Sequence, residues 1–211
     1  MDSKVFVKIC GLRSATSVDI AVGAGANAIG LVFDPRSPRF ITPAQAKPLV
    51  RRACESVEVV GVFRNNPINE VIETAYRTGI SSVQLHGTYS RTDIAQAHTE
   101  GLQVIRALSH LDYESAPDNL GLEDVDVRLL IDAAQPGSGR RFDTTLLAQN
   151  PPNVPWLLAG GLNPDNVVAA LGSCSPTGVD VSSGVESSTG IKDERKIVLF
   201  VRAVRSSSPT L

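Results

Sequence analysis

Apolar residues fall along this chain in eight short runs, and the segments between them repeat apolar side chains at helical spacing. The runs are VFVKIC (5–10), AIGLVF (28–33), VEVVGVF (57–63), SVQLH (82–86), LQVIRAL (102–108), VRLLID (127–132), PWLLAGG (155–161) and GVDVSS (178–183). They are rich in β-branched and aliphatic residues. Several are apolar on both faces, as parallel strands covered by helices must be.

The intervening stretches carry helix signals. Ile68, Val71, Ile72 and Ala75 share one face, with Gly79 as the stop; Ile197, Phe200, Val201 and Val204 repeat the spacing near the C-terminus. Thr42-Pro43 and Asn163-Pro164 each offer an N-cap followed by proline at the first helical position. Ser14 can cap the first helix and Gly25 end it, while Pro48 should kink or shorten the second. The stretch 109–126 is acidic and poorly periodic, so its helix is short at best, and 133–141 reads as a glycine-containing loop.

Eight strand–helix repeats in 211 residues point to one α/β domain, a single (β/α)8 TIM barrel over residues 1–205, with 206–211 as a disordered tail. The rival is an open, doubly wound sheet. Its first β–α turn would be CGLRSATS, which has neither a GxGxxG nor a P-loop pattern.

Charge and cysteine content narrow the partners. A formal charge of −2 gives no reason to expect a nucleic acid or an anionic membrane, though local positive charge could serve a small anionic substrate. The three cysteines, Cys10, Cys54 and Cys174, are far apart and at no zinc-ligand spacing, so neither a metal site nor a disulfide framework is expected. With no signal-peptide core and no membrane-length apolar run, a soluble chain in the reducing cytoplasm is the expectation. No apolar surface stripe announces a dimer; a monomer is expected, a homodimer the alternative.

A barrel collects its chemistry at the C-terminal ends of the strands. Lys8 and Cys10 share a face of the first strand, and a nearby ammonium lowers a thiol's pKa. Asp180 and Ser182 share a face of the eighth strand, which closure would lay beside the first, so Asp180 can pair with Lys8. The plainer reading of Cys10 is a small buried hydrophobe. Asp132 ends the sixth strand, either as a general acid or as a loop anchor. LAGGLNPDNV and VDVSSGVES follow strands seven and eight, where Gly160, Gly161, Ser182, Ser183 and Gly184 suit a phosphate. Arg39 can clamp a carboxylate, whereas Arg36 reads as solvated. Gln84 and His86 end the fourth strand; His98 and His110 read as surface residues.

KICGL, GLVFDPRSPRFI, VGVF, VQLHG, GSGRRFD, AGGLNPDNV and VDVSSGVES occur in this order and together resemble the phosphoribosylanthranilate isomerases, from residue 7 to about residue 200. The resemblance implies a (β/α)8 enzyme of tryptophan biosynthesis with a phosphorylated small-molecule substrate and no metal or organic cofactor. It implies Asp132 as general acid and Cys10 as general base of an Amadori rearrangement. It further implies Arg39 on the anthranilate carboxylate, Gln84 at a substrate contact and the last two loops on the phosphate. After strand six, where the family commonly reads Gly-Gly-Ser/Thr-Gly-Lys-Thr-Phe-Asp-Trp, this chain reads PGSGRRFDT, with Pro136, Arg140, Arg141 and Thr144 as the departures. Arg64 replaces a usual apolar residue. The related isomerase of histidine biosynthesis, which resembles a pair of aspartates at the acid and base positions, and a non-catalytic phosphate-binding barrel are the alternatives.

Overall fold

The computed structural model describes residues 4–115, 126–132 and 145–207. Eight parallel strands close in sequential order into a barrel: β1 Phe6–Cys10, β2 Ala28–Val32, β3 Glu58–Arg64, β4 Ser82–His86, β5 Gln103–Ser109, β6 Val127–Asp132, β7 Trp156–Ala159 and β8 Gly178–Val181. Pairing of β1 with β8 excludes the open sheet. The helices between and after them are α1 Ala15–Ala24, α2 Pro43–Ala53, α3 Ile68–Thr78, α4 Arg91–Thr99, α5 His110–Ser115, α6 Thr145–Gln149, α7 Val167–Cys174 and α8 Glu194–Ser207. A two-stranded hairpin, β9 Glu186–Ser188 and β10 Ile191–Lys192, fills the connection between β8 and α8.

Most helix ends follow local chemistry. The Ser14 hydroxyl accepts from the Ser17 N–H, Gly25 closes α1 at φ 91°, Thr42 and Gln45 form a capping box, and Gly79 ends α3 at φ 80°. Three expectations shift. The helix runs through Pro48 to Ala53; the carbonyl of Ala44 that Pro48 cannot serve lies on an exposed face, where water can take it. The regular turns of α7 start at Val167, because Asn163 accepts from the Asp165 and Asn166 N–H groups and builds a separate turn first. The last helix reaches Ser207, two residues into the expected tail, because Ile197, Phe200, Val201 and Val204 anchor it to the core; 208–211 lie outside the described residues.

Two apolar layers follow from strand alternation. Outward residues such as Val7, Ile9, Ile29, Leu31, Leu85 and Ile131 meet the helices. Inward residues Ala28, Val60, Ile105, Ala107, Leu130 and Leu157 pack the barrel axis. The lower end is closed by Arg128, which pairs with Glu58 at 3.1 Å and lies over the Phe6 ring at 4.4 Å. The upper end is polar.

Candidate active site

The inward face of β1 reads Phe6, Lys8, Cys10 from bottom to top, and the register aligns Lys8 with Asp180. One layer above the apolar plug, the Lys8 ammonium donates to Asp180 Oδ1 at 2.8 Å and to Gln84 Oε1 at 2.9 Å. Lys8 is wholly buried. It therefore lies beneath the floor of the mouth and is not among the residues that line the cavity above it. Burial alone would pull the ammonium's pKa down; the Asp180 charge, with Cys10 beside it, reverses this and holds it above the ordinary value.

Above this layer lies a cavity of about 260 Å³ lined by Cys10, Arg39, Gln84, His86, Asp132, Gly160, Gly161, Asp180, Ser182 and Ser183, with Leu130, Ala159, Leu162 and Val181 as its apolar walls. Ten residues from six places in the chain thus meet at one cavity. The thiol does not behave as expected. Burial, helped by Asp180, outweighs the Lys8 and Lys192 charges and pushes the Cys10 pKa up. The Lys8–Asp180 pair is the one barrel closure led us to expect; the larger effect, which the sequence does not reveal, is the cost of burying the thiolate. Gly30, opposite Cys10 on β2, gives the thiol its room: a Cβ there would stand 2.8 Å from Sγ and 3.2 Å from Lys8 Nζ.

Asp132 ends β6, level with Ala159 on β7 and Ser109 on β5. His86 is held toward its neutral form by burial and by the Arg64 and Arg106 charges, against the opposing pull of Asp132 and Asp112. Arg106 itself is spent on backbone, donating to the Leu85, Ala107 and Gly87 carbonyls. Its fork ties the ends of β4 and β5 together.

The two glycine loops meet each other. Gly160 and Gly161 sit at φ 95° and 64°, a left-handed pair that side chains disfavour. Asn166 Nδ2 donates to the Gly161 carbonyl at 2.9 Å and fixes this loop. Gly184 follows β8 in a 3₁₀ turn, Ser183–Val185, and a Cβ at 184 would collide with the Leu162 carbonyl oxygen. Its glycine is needed for loop-to-loop packing; it does not line the cavity. The Ser182 hydroxyl, on the cavity wall, donates to the Cys10 carbonyl at 3.2 Å.

Arg39 is clamped. Its Nε and Nη2 donate to Glu186 Oε1 and Oε2 at 2.7 and 2.9 Å, and its stem crosses Gly11, where a Cβ would stand 2.5 Å from Arg39 Cδ. Lys192 holds the same carboxylate at 2.8 Å. Sequence reading missed Glu186 and Lys192, which lie beyond the strand end on a hairpin; Thr189-Gly190 between them was the available signal. Arg36 pairs with Asp34 at 3.0 Å and is largely exposed, as read. His98 is half-buried, with Nδ1 3.0 Å from the Leu102 carbonyl, so it is less of a surface residue than its polarity suggested. The departures Pro136, Arg140, Arg141 and Thr144 lie outside the described residues.

Comparison with known proteins agrees with this geometry. A family model described as N-(5'phosphoribosyl)anthranilate (PRA) isomerase matches residues 7–203. An N-(5'-phosphoribosyl)anthranilate isomerase of Dechloromonas aromatica is 41% identical over 217 residues, covering 99% of this chain and 100% of its own. The crystal structure of TrpF from Jonesia denitrificans superposes with a TM-score of 0.86 at 43% identity, covering 97% of this chain and 98% of that one. A phosphoribosyl anthranilate isomerase in complex with reduced 1-(o-carboxyphenylamino)-1-deoxyribulose 5-phosphate superposes with a TM-score of 0.82 at 32% identity, over 96% of this chain and 99% of that one.

Proposed function

The chain belongs to the N-(5'-phosphoribosyl)anthranilate isomerase family and is an isomerase of tryptophan biosynthesis; on that premise we propose that Asp132 and Cys10 are the acid and base of its Amadori rearrangement. The observation that supports this reading most is their presence on the wall of one cavity at the mouth of the barrel.

Asp132 gives a proton to the furanose ring oxygen of N-(5-phosphoribosyl)anthranilate. The C1′–O bond breaks, and the anthranilate nitrogen lone pair forms the C1′ iminium. Cys10 then takes the C2′ proton, and the C–H electrons become the C1′–C2′ double bond of an enolamine. Tautomerisation returns a proton to C1′ and leaves the C2′ ketone of 1-(2-carboxyphenylamino)-1-deoxyribulose 5-phosphate. No oxidant or reductant enters, and in this reading every proton transfer is assigned to Asp132 and Cys10 and none to a metal or organic cofactor.

The raised pKa of Cys10 adds a condition. The resting thiol keeps its proton, since burial, helped by Asp180, outweighs the Lys8 charge. The form that reacts carries the pair's single proton on Asp132 and has Cys10 as thiolate, free to accept the C2′ proton; the iminium, a new cation in the cavity, favours that thiolate. The base is thus strengthened at the step that needs it.

The Gly160 and Gly161 N–H groups make no hydrogen bond among the described residues, and with the Ser183 hydroxyl they suit the phosphate. Arg39 takes the anthranilate carboxylate, while Gln84 and His86 complete the floor and wall. The active unit is one barrel, closed off by the last helix at Ser207. The large apolar side chains exposed among the described residues, Tyr76, Leu111, Val168, Ile191 and Leu199, sit on five different elements, which supports a monomer. Three free cysteines, Cys10, Cys54 and Cys174, suit a reducing, cytoplasmic compartment. Among the described residues no helix is long and apolar enough to cross a membrane.

The test is to generate phosphoribosylanthranilate in situ and follow its fluorescence with the purified chain. Loss faster than the hydrolysis that regenerates anthranilate is the expected result. A folded protein that leaves the signal at background would overturn the reading.

A further inference from the structure

A guanidinium offers two edges to a carboxylate, one formed by Nε and one Nη, the other by the two Nη groups. Glu186 occupies the first edge of Arg39 through Nε and Nη2. Among the described residues Nη1 has no hydrogen-bond partner, yet Arg39 lines the cavity beside Cys10.

Glu186 is itself held from every side. Oε1 accepts from Arg39 and from Lys192 at 2.8 Å; Oε2 accepts from Arg39 and from the Gly190 N–H at 3.1 Å. Lys192 continues inward, donating to the Ser182 carbonyl at 2.9 Å and to its hydroxyl at 3.3 Å, and Ser182 reaches the Cys10 carbonyl. One chain of contacts therefore runs from Arg39 to the strand that bears the thiol. Its three charged members, Arg39, Glu186 and Lys192, sum to one positive charge next to the cavity.

We propose that Glu186 and Lys192 are positioning residues for substrate recognition: Glu186 holds one edge of Arg39 so that the other faces the substrate's aromatic carboxylate, and Lys192 locks that clamp in register with Cys10. The inference rests on the reading of the cavity as a phosphoribosylanthranilate site and names what sets its selectivity for the carboxylate. Orientation and charge make opposite predictions here. If Glu186 were only a counter-charge, removing it would leave Arg39 and Lys192 unopposed and draw an anionic ligand in more tightly. If it positions Arg39, removing it lets a long, flexible side chain swing away, and the carboxylate is held less well.

The experiment titrates the wild-type enzyme and its Arg39→Ala, Glu186→Ala, Glu186→Gln and Lys192→Met variants with two ligands. One is 1-(2-carboxyphenylamino)-1-deoxyribulose 5-phosphate; the other is the same molecule without the carboxyl group. Wild type should prefer the carboxylated ligand. Arg39→Ala and Glu186→Ala should each cut that preference by about tenfold or more while leaving affinity for the other ligand in place, and Lys192→Met should cut it partway. Glu186→Gln keeps the shape but cannot accept both guanidinium bonds, so it should lose preference too; it also serves if Glu186→Ala does not fold. Retained or increased preference in the folded Glu186 variants, with preference lost in Arg39→Ala, would overturn the proposal. Preference retained in Arg39→Ala would instead overturn the role of Arg39. Failure of wild type to bind either ligand would overturn the site itself.

Discussion

Lys8 and Asp180 stand 172 positions apart in the chain and meet at 2.8 Å, with the lysine wholly buried under the floor of the barrel mouth. Each charge is tolerable there because of the other. Lys8→Met or Asp180→Asn alone should cost about 3–5 kcal/mol in urea unfolding, and the double variant less than the sum. The Lys8 pKa is raised, so its contribution is fully present below pH 10.5 and is lost as pH climbs through the raised value. Wild type should therefore lose its advantage over Lys8→Met on the alkaline side; a constant gap would contradict the pairing.

Cys10 should be slow to ionise. With its pKa raised from 9.0, the free enzyme's Cys10 should react with iodoacetamide after the exposed Cys54 at pH 8. Because the active form has one proton shared between acid and base, kcat/KM should stay level through neutral pH and decline only above about pH 9. A basic limb near pH 7, or preferential labelling of Cys10, would show that the thiolate already exists at rest. Cys10→Ser should fold normally and lose roughly 10²-fold or more in kcat.

Asp132→Asn keeps the shape of the side chain and removes the proton. Turnover should fall by about 10²–10⁴-fold with little change in product affinity. Unchanged kcat would remove Asp132 from the reaction.

Two glycines separate the halves of the site. Gly184→Ala forces the loop after β7 away from the one after β8, so competition by inorganic phosphate should weaken and stability drop by about 1–3 kcal/mol. Gly30→Ala places a methyl 2.8 Å from the Cys10 sulfur and should lower kcat while sparing phosphate affinity. The same pattern of loss in both variants would mean that neither glycine acts locally.

Acid should release the Arg39 clamp late. Burial would raise the Glu186 pKa, but Arg39, Lys192 and the Gly190 N–H more than reverse it, down to about 2 from 4.5. A lowered carboxylate stabilises above pH 4.5 and loses that contribution as pH falls toward 2. The stability gap between wild type and Glu186→Gln should shrink across that window, by about 3 kcal/mol at most. No narrowing between pH 5 and 2 would argue against the four-donor carboxylate.

Strand and helix positions were legible because they depend on near neighbours. Apolar alternation in VFVKIC and the i, i+3, i+4 pattern of Ile68, Val71 and Ile72 state which face is buried, whatever the rest of the chain does. Gly25 and Gly79 announce turns through their own backbone freedom. The strand ends then named Cys10, Asp132 and the two glycine loops, since a barrel gathers those ends at one mouth.

Electrostatic state was a different matter. Whether Lys8 lowers the Cys10 pKa depends on what else lies within a few ångströms, and that includes Asp180 from the opposite end of the chain. Arg39 and Glu186 are 147 positions apart, and nothing local to either marks the other. Sequence alone determined the periodic order of elements, the closed barrel that this order implies, and the acid and base candidates at strand ends. Only the tertiary structure decided how burial weighs against the Lys8 charge at Cys10, which glycines are there for packing, and which edge of Arg39 stays open. Burial and Coulomb interaction act through space, and closure of β8 onto β1 creates the distances they depend on.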